Sequence, residues 1–158
     1  MKTFFRKYFV FASVALVSAF GFVGCDSNDD DDVDDNSYEV RGNSSGSQMV
    51  PAVSVTGTGS FNGTYNTQTN VLAYTMTWTG LTGNATAAGF YNGAVGVNGS
   101  LVANAAITTS GSTGASVGTV TLTEAQESAL LGGTMYYVVS TATNVNGEIR
   151  GQLTATAD

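Results

Sequence analysis

The chain has 158 residues, with 12 acidic against 5 basic residues, one cysteine and no histidine. A formal charge of −7 without a basic stripe excludes nucleic acid as a partner, because phosphate binding requires clustered Lys and Arg. A lone cysteine excludes an intramolecular disulfide, and without histidine a Ser-His-Asp triad and the usual zinc, copper and haem ligand sets cannot be built.

Lys2, Arg6 and Lys7 form a positive start, and Tyr8 to Phe20 is a nearly unbroken apolar run leading through Gly21-Phe22-Val23-Gly24 to Cys25. This is the layout of a secretory signal. Tyr8 to Gly24 spans only 17 residues, the lower limit for crossing a hydrocarbon core. The segment resembles a bacterial lipoprotein signal with Phe22-Val23-Gly24-Cys25 as its lipobox, although leucine more often stands where Phe22 does. The resemblance implies removal of residues 1–24 and lipidation of Cys25 as the first mature residue. Several acyl chains on one residue give stable membrane attachment, which a single chain does not. Ordinary secretion with a free thiol is the alternative.

Loss of the signal leaves Arg41 and Arg150 against 12 acids, a formal −10, with seven of those acids between Asp26 and Asp35. Such a run repels itself and buries no core, so residues 25–37 are expected to be the lipidated cysteine and a disordered tether. Residues 26–36 reach roughly 40 Å when extended. Acid directly after the cysteine resembles the surface-export signal of Bacteroidota-type lipoproteins, whereas a plain solvated spacer is the simpler reading. A specific calcium loop is disfavoured, because the run lacks the required glycine and distal glutamate.

Residues 38–158 have the composition of an all-β domain, rich in Gly, Thr, Ser and Asn and sparse in charge. Strands are predicted over Thr58–Tyr65 and Val71–Trp78, joined by a turn with Asn66 and Asn70 at its ends. In the second strand Leu72, Tyr74, Met76 and Trp78 share one face and Ala73, Thr75 and Thr77 the other. Further strands are predicted at Thr86–Tyr91, Leu101–Ile107, Val117–Leu122, Thr134–Thr141 and Glu148–Ala155. One helix is predicted: Thr123-Glu124-Ala125-Gln126 is a capping box, and Gly132-Gly133 ends the helix after Leu130 and Leu131. Strands at roughly ten-residue spacing with one short helix argue a single Greek-key β-sandwich.

Several segments carry a family resemblance: Ser47-Gln48-Met49-Val50-Pro51-Ala52-Val53, Gly57-Thr58-Gly59-Ser60-Phe61, Leu72-Ala73-Tyr74-Thr75 and Gly80-Leu81-Thr82-Gly83, followed by Leu122-Thr123-Glu124-Ala125-Gln126 and Tyr136-Tyr137-Val138-Val139-Ser140-Thr141. The strongest is Asn146-Gly147-Glu148-Ile149-Arg150-Gly151-Gln152-Leu153. In this order they resemble the CHRD domain, named after chordin, over about residues 38–155. The resemblance implies an immunoglobulin-like or superoxide-dismutase-like sandwich. Many bacterial members carry a His-x-His pair where this chain reads Gly89-Phe90-Tyr91, and a further histidine where it reads Val139-Ser140-Thr141. A dismutase-like metal site is therefore unsupported, and no cofactor is expected. The folded chain should hold no stoichiometric copper or zinc, and elemental analysis finding one metal per chain would reverse that reading.

Gly57-Thr58-Gly59 and Gly93 to Gly99 open no helix and read as turns rather than phosphate cradles. Glu124 and Glu127 are expected to face solvent on the helix. Glu148 and Arg150, two apart on a strand, share a face opposite Ile149, Gly151, Leu153 and Ala155. They read either as a polar recognition patch with Tyr91 or as a cross-strand structural ion pair, worth about 0–1 kcal/mol if exposed. Tyr91, Tyr136 and Tyr137 read either as a carbohydrate platform or as packing. The sequons at Asn43, Asn62, Asn84 and Asn98 are taken as incidental. The whole reads as a non-enzymatic lipoprotein of the outer membrane, lipid-anchored through Cys25 and surface-exposed, whose domain binds a protein or glycan ligand. The alternative is a structural or adhesive envelope component acting by self-association.

Overall fold

The computed structural model describes residues 36–158, so the signal segment, Cys25 and the aspartate run at 26–35 lie outside the described residues. Ten strands and one α-helix follow in chain order, with a short 3-10 helix at Gly46–Gln48 between the first two strands. They are β1 Ser37–Ser45, β2 Thr58–Asn66, β3 Val71–Thr79, β4 Ala85–Asn92, β5 Ser100–Ala105, β6 Ile107–Thr109, β7 Gly114–Thr121, α1 Glu124–Leu131, β8 Met135–Thr141, β9 Ile149–Gln152 and β10 Thr154–Ala157. The strand order is β5-β4-β8-β9-β1-β2-β3-β7-β6, with β10 also paired to β1. The connections β3 to β4 and β7 to β8 join strands that are not neighbours, which is the crossover a Greek key needs.

The alternation in β3 appears as read: Leu72, Tyr74, Met76 and Trp78 are buried, and Ala73, Thr75 and Thr77 are exposed. Asn66 Oδ1 accepts from the backbone N–H groups of Gln68 and Thr69 at 3.0 and 2.9 Å, and Asn70 takes a left-handed φ of 58°. These two residues fix the β2–β3 register from Thr58↔Thr79 to Asn66↔Val71. In α1 the Thr123 N–H donates to Gln126 Oε1 at 2.9 Å, and Gln126 N–H returns to Thr123 Oγ1 at 3.4 Å. Gly133, at φ +67°, lets its own N–H reach Leu130 O and that of Thr134 reach Ala129 O, closing the helix.

Two expected strands are each divided. Leu101–Ile107 breaks at Ala106 into β5, which pairs with β4, and β6, which pairs with β7. Glu148–Ala155 breaks at Leu153, whose N–H donates to Met135 O, into β9 on β8 and β10 on β1. Both breaks let one stretch of chain serve two neighbours, and at Ala106 this brings the two ends of the sheet together. The central strand β1 has no clear sequence pattern, because only Val40 and Ser44 of its nine residues are buried.

The core is aromatic. Phe61 stacks with Tyr74 at 5.9 Å, meets Phe90 edge-on at 5.8 Å and Tyr137 at 5.5 Å, and Tyr74 meets Phe90 at 5.0 Å. All seven residues of β8 are buried, so this strand is covered on both faces. That double cover decides the character of the strand beside it.

Candidate functional site

Strand β9 pairs with β8 in the register Val138↔Arg150 and Val139↔Ile149, and it inherits cover on both sides. Ile149 and Leu153 face the core as read, but Glu148 and Arg150 are not exposed: they retain 0% and 2% of their accessible surface. They also form no ion pair. The ion-pair reading is therefore corrected; among the described residues the salt bridge is instead that of Arg41 with Glu39 on β1. The 3-10 helix Gly46–Gln48 with the loop after it, and the loops at 93–99 and 143–147, cover the face expected to meet solvent. Each contributes residues around Arg150.

Glu148 turns away from the arginine. Its Oε1 accepts from the Thr82 N–H at 2.6 Å, and its Oε2 accepts from Thr82 Oγ1 and Thr141 Oγ1 at 2.6 Å and from Asn144 Nδ2 at 3.0 Å. Burial pushes the carboxyl pKa upward, but the bonds from Thr141, Thr82 and Asn144 outweigh it and hold the group below its ordinary value. The result is a buried carboxylate neutralised by hydrogen-bond donors rather than by a cation. It ties the turn after β3 to the end of β8 and to the β8–β9 loop. Gly147 in that loop has φ +125°, and a Cβ there would meet Met49 Cε at 2.5 Å, so only glycine closes this corner.

Arg150 sits over Tyr136, its guanidinium carbon 3.5 Å from the ring centroid, and Tyr136 stacks in turn on Tyr91 at 5.4 Å and 14°. The sequence patch is thus brought together in part: Arg150 and Tyr91 join through Tyr136, and Glu148 is committed elsewhere. Tyr137, on the opposite face of β8, belongs to the core, and burial pushes its phenol up to about 12. Arg150 Nη2 donates to Ala94 O at 2.8 Å and to Gln152 Oε1 at 3.4 Å, whereas Nη1 is buried without a partner. Burial pushes the guanidinium pKa downward, with Tyr136 opposing. The group still carries its charge.

A cleft of 570 Å³ opens beside this stack, walled by Met49, Pro51, Tyr91, Tyr136, Val145 and Arg150. Its size suits a small ligand. Asn98 Nδ2 bonds Val50 O at 2.7 Å and the Gly99 N–H bonds the Tyr136 hydroxyl at 3.0 Å, so the glycine-rich loop read as a turn also frames the cleft. Sequence reasoning missed Gln152, whose amide donates to Gly93 O and Gly133 O. Its i, i+2 spacing from Arg150 was the available signal. Among the described residues no three of His, Cys, Asp and Glu gather as a metal site.

Neither curated proteins nor solved structures give a match to the chain. The CHRD domain family does match, over residues 40–153, from the central strand β1 to the Leu153 break. That span contains the cleft, the Arg150–Tyr136–Tyr91 stack and the Glu148 anchor, and the chain belongs to the CHRD domain family.

Proposed function

We propose that this protein is a lipid-anchored extracytoplasmic lipoprotein whose CHRD domain binds a ligand in the cleft beside Arg150 and does no chemistry on it. The observation that carries the reading is the state of Glu148. It is the carboxylate nearest the aromatic stack in sequence, and four donors hold it ionised and occupied, so it is not free as a general acid or base. What the cleft offers is an aromatic wall, a buried cation and apolar lining, which are means of recognition. The lipoprotein-like signal ending at Cys25 supports a membrane address, and the acidic run after it supports display on the outer-membrane surface.

Two experiments test this. Cys25→Ser is expected to release the protein from membranes or to block its maturation; unchanged fractionation and unchanged processed mass would remove lipidation. Protease shaving of intact cells, followed by binding assays on the shaved domain, should show surface exposure and saturable capture of a soluble ligand. Concentration-dependent self-association without saturable capture would favour the structural or adhesive alternative.

A further inference from the structure

Arg150 presents an unbalanced charge. It is 2% exposed, and its guanidinium has five N–H donors that are never given up. Nη2 is bonded to the Ala94 carbonyl and, more weakly, to Gln152 Oε1, but Nη1 has no acceptor. A buried cation without an anion is unfavourable, and a buried donor without an acceptor adds to the cost. The Tyr136 face offsets part of this from above the guanidinium plane but supplies no acceptor within it. No acid among the described residues takes the role, since Glu148 is saturated by its own donors.

The surroundings define what would complete the site. Met49, Val50 and Val138 line the cleft, and Val145 stands on its margin at 71% exposure. One guanidinium edge matches one carboxylate, whereas a phosphate dianion would call for further cations or a nest of backbone N–H groups. Residues 94–99 are exposed, and the loop bearing the Ala94 carbonyl is fixed at its far end by the Asn98 and Gly99 bonds, so Ala94 O reaches the arginine from a turn open to solvent.

We propose that Arg150 is a carboxylate-binding residue and that the cleft takes a small ligand carrying one carboxylate on an apolar body. This rests on reading the cleft as a ligand site. The ligand carboxylate displaces Ala94 O from Nη2 and takes Nη2 and Nη1 together as a fork, while its body lies against Tyr91 and the valines. An acidic sugar presents the same carboxylate on a hydroxylated body, which this lining suits less well.

The test is calorimetric titration of the full chain in detergent with benzoate, benzamide, glucuronate and inorganic phosphate. Benzoate should bind saturably and benzamide about tenfold more weakly or worse, the loss of one charge-assisted contact. Arg150→Lys should weaken benzoate about tenfold, because an ammonium cannot reproduce the fork. Should Arg150→Lys fail to fold, Tyr91→Ala, in a half-buried wall residue, should still weaken benzoate several-fold. Equal affinity for benzoate and benzamide, benzoate affinity unchanged in Arg150→Lys, or phosphate binding as tightly as benzoate would overturn the carboxylate assignment, and benzoate affinity unchanged in Tyr91→Ala would overturn the seat of the body against Tyr91. Glucuronate binding more tightly than benzoate would overturn the apolar body. Tight binding of benzamide alone would leave the ligand cleft standing and remove only the carboxylate.

Discussion

Trp78→Ala is expected to cost about 3–5 kcal/mol, the range for truncating a buried aromatic residue. Trp78 is 2% exposed near the end of β3, and its Nε1–H donates to Gly111 O at 3.0 Å. Its ring lies so close over Gly114 of β7 that a Cβ there would come within 2.8 Å of it. Removing the ring therefore opens a cavity between β3 and β7 and also strips a carbonyl of its donor. A domain of this size holds about 5–15 kcal/mol in total, so the loss is a large share. Thr77→Ala, one residue away on the exposed face, removes only a hydroxyl contact to Ser60 at 2.9 Å. It should stay within about 0.5 kcal/mol, as surface changes usually do. Denaturant melts of the two variants make the comparison, and equal small losses would show that the alternation in β3 does not carry the core.

Glu148→Ala should be comparably damaging, at about 3–5 kcal/mol, because it takes one partner from a buried charged network and leaves four donors facing nothing. Glu148→Gln should cost less, since its carbonyl still accepts from the Thr82 N–H and hydroxyls can rotate to accept from its amide. The two differ from the parent in pH response as well. The folded-state pKa of Glu148 lies below its unfolded value, so its contribution is fully present above about pH 4.3 and is lost as pH falls through the depressed folded value. Melts at pH 7 and pH 3 should show the parent losing more stability than Glu148→Gln. An identical loss in both would mean that the carboxylate is not held ionised by its donors.

The contrast between these two residues explains what could be read from the chain. Trp78 sits in a strand with one wet and one dry face, where period-2 alternation reports the geometry directly. The Asn66–Asn70 turn and the Thr123 capping box were equally legible, since each is a local bond written into a short segment. Glu148 and Arg150 misled because the same alternation implies that the polar face of a strand meets water. Here loops from distant parts of the chain cover that face, and loop placement leaves no periodic trace. Strand β1 escaped notice for a related reason: Gly42 must be glycine, as a Cβ would meet Gln152 O at 2.8 Å, and the sequence around it looks like a turn. The breaks at Ala106 and Leu153 are set by which neighbour each half-strand meets, a property of the assembled sheet rather than of the segment.

The break at Ala106 bears on how the protein tolerates crowding. Where copies of a protein meet at high local concentration, an open β-edge is the usual route by which they stick. Here the last strand at one end of the sheet, β5 with six residues, runs directly into the last strand at the other end, β6 with three. Among the described residues the edges left at these two ends are only six and three residues long, short templates for another copy to extend. Exposed apolar side chains such as Val95, Val97 and Val145 offer neighbours a second route of association, one that a single polar substitution can tune.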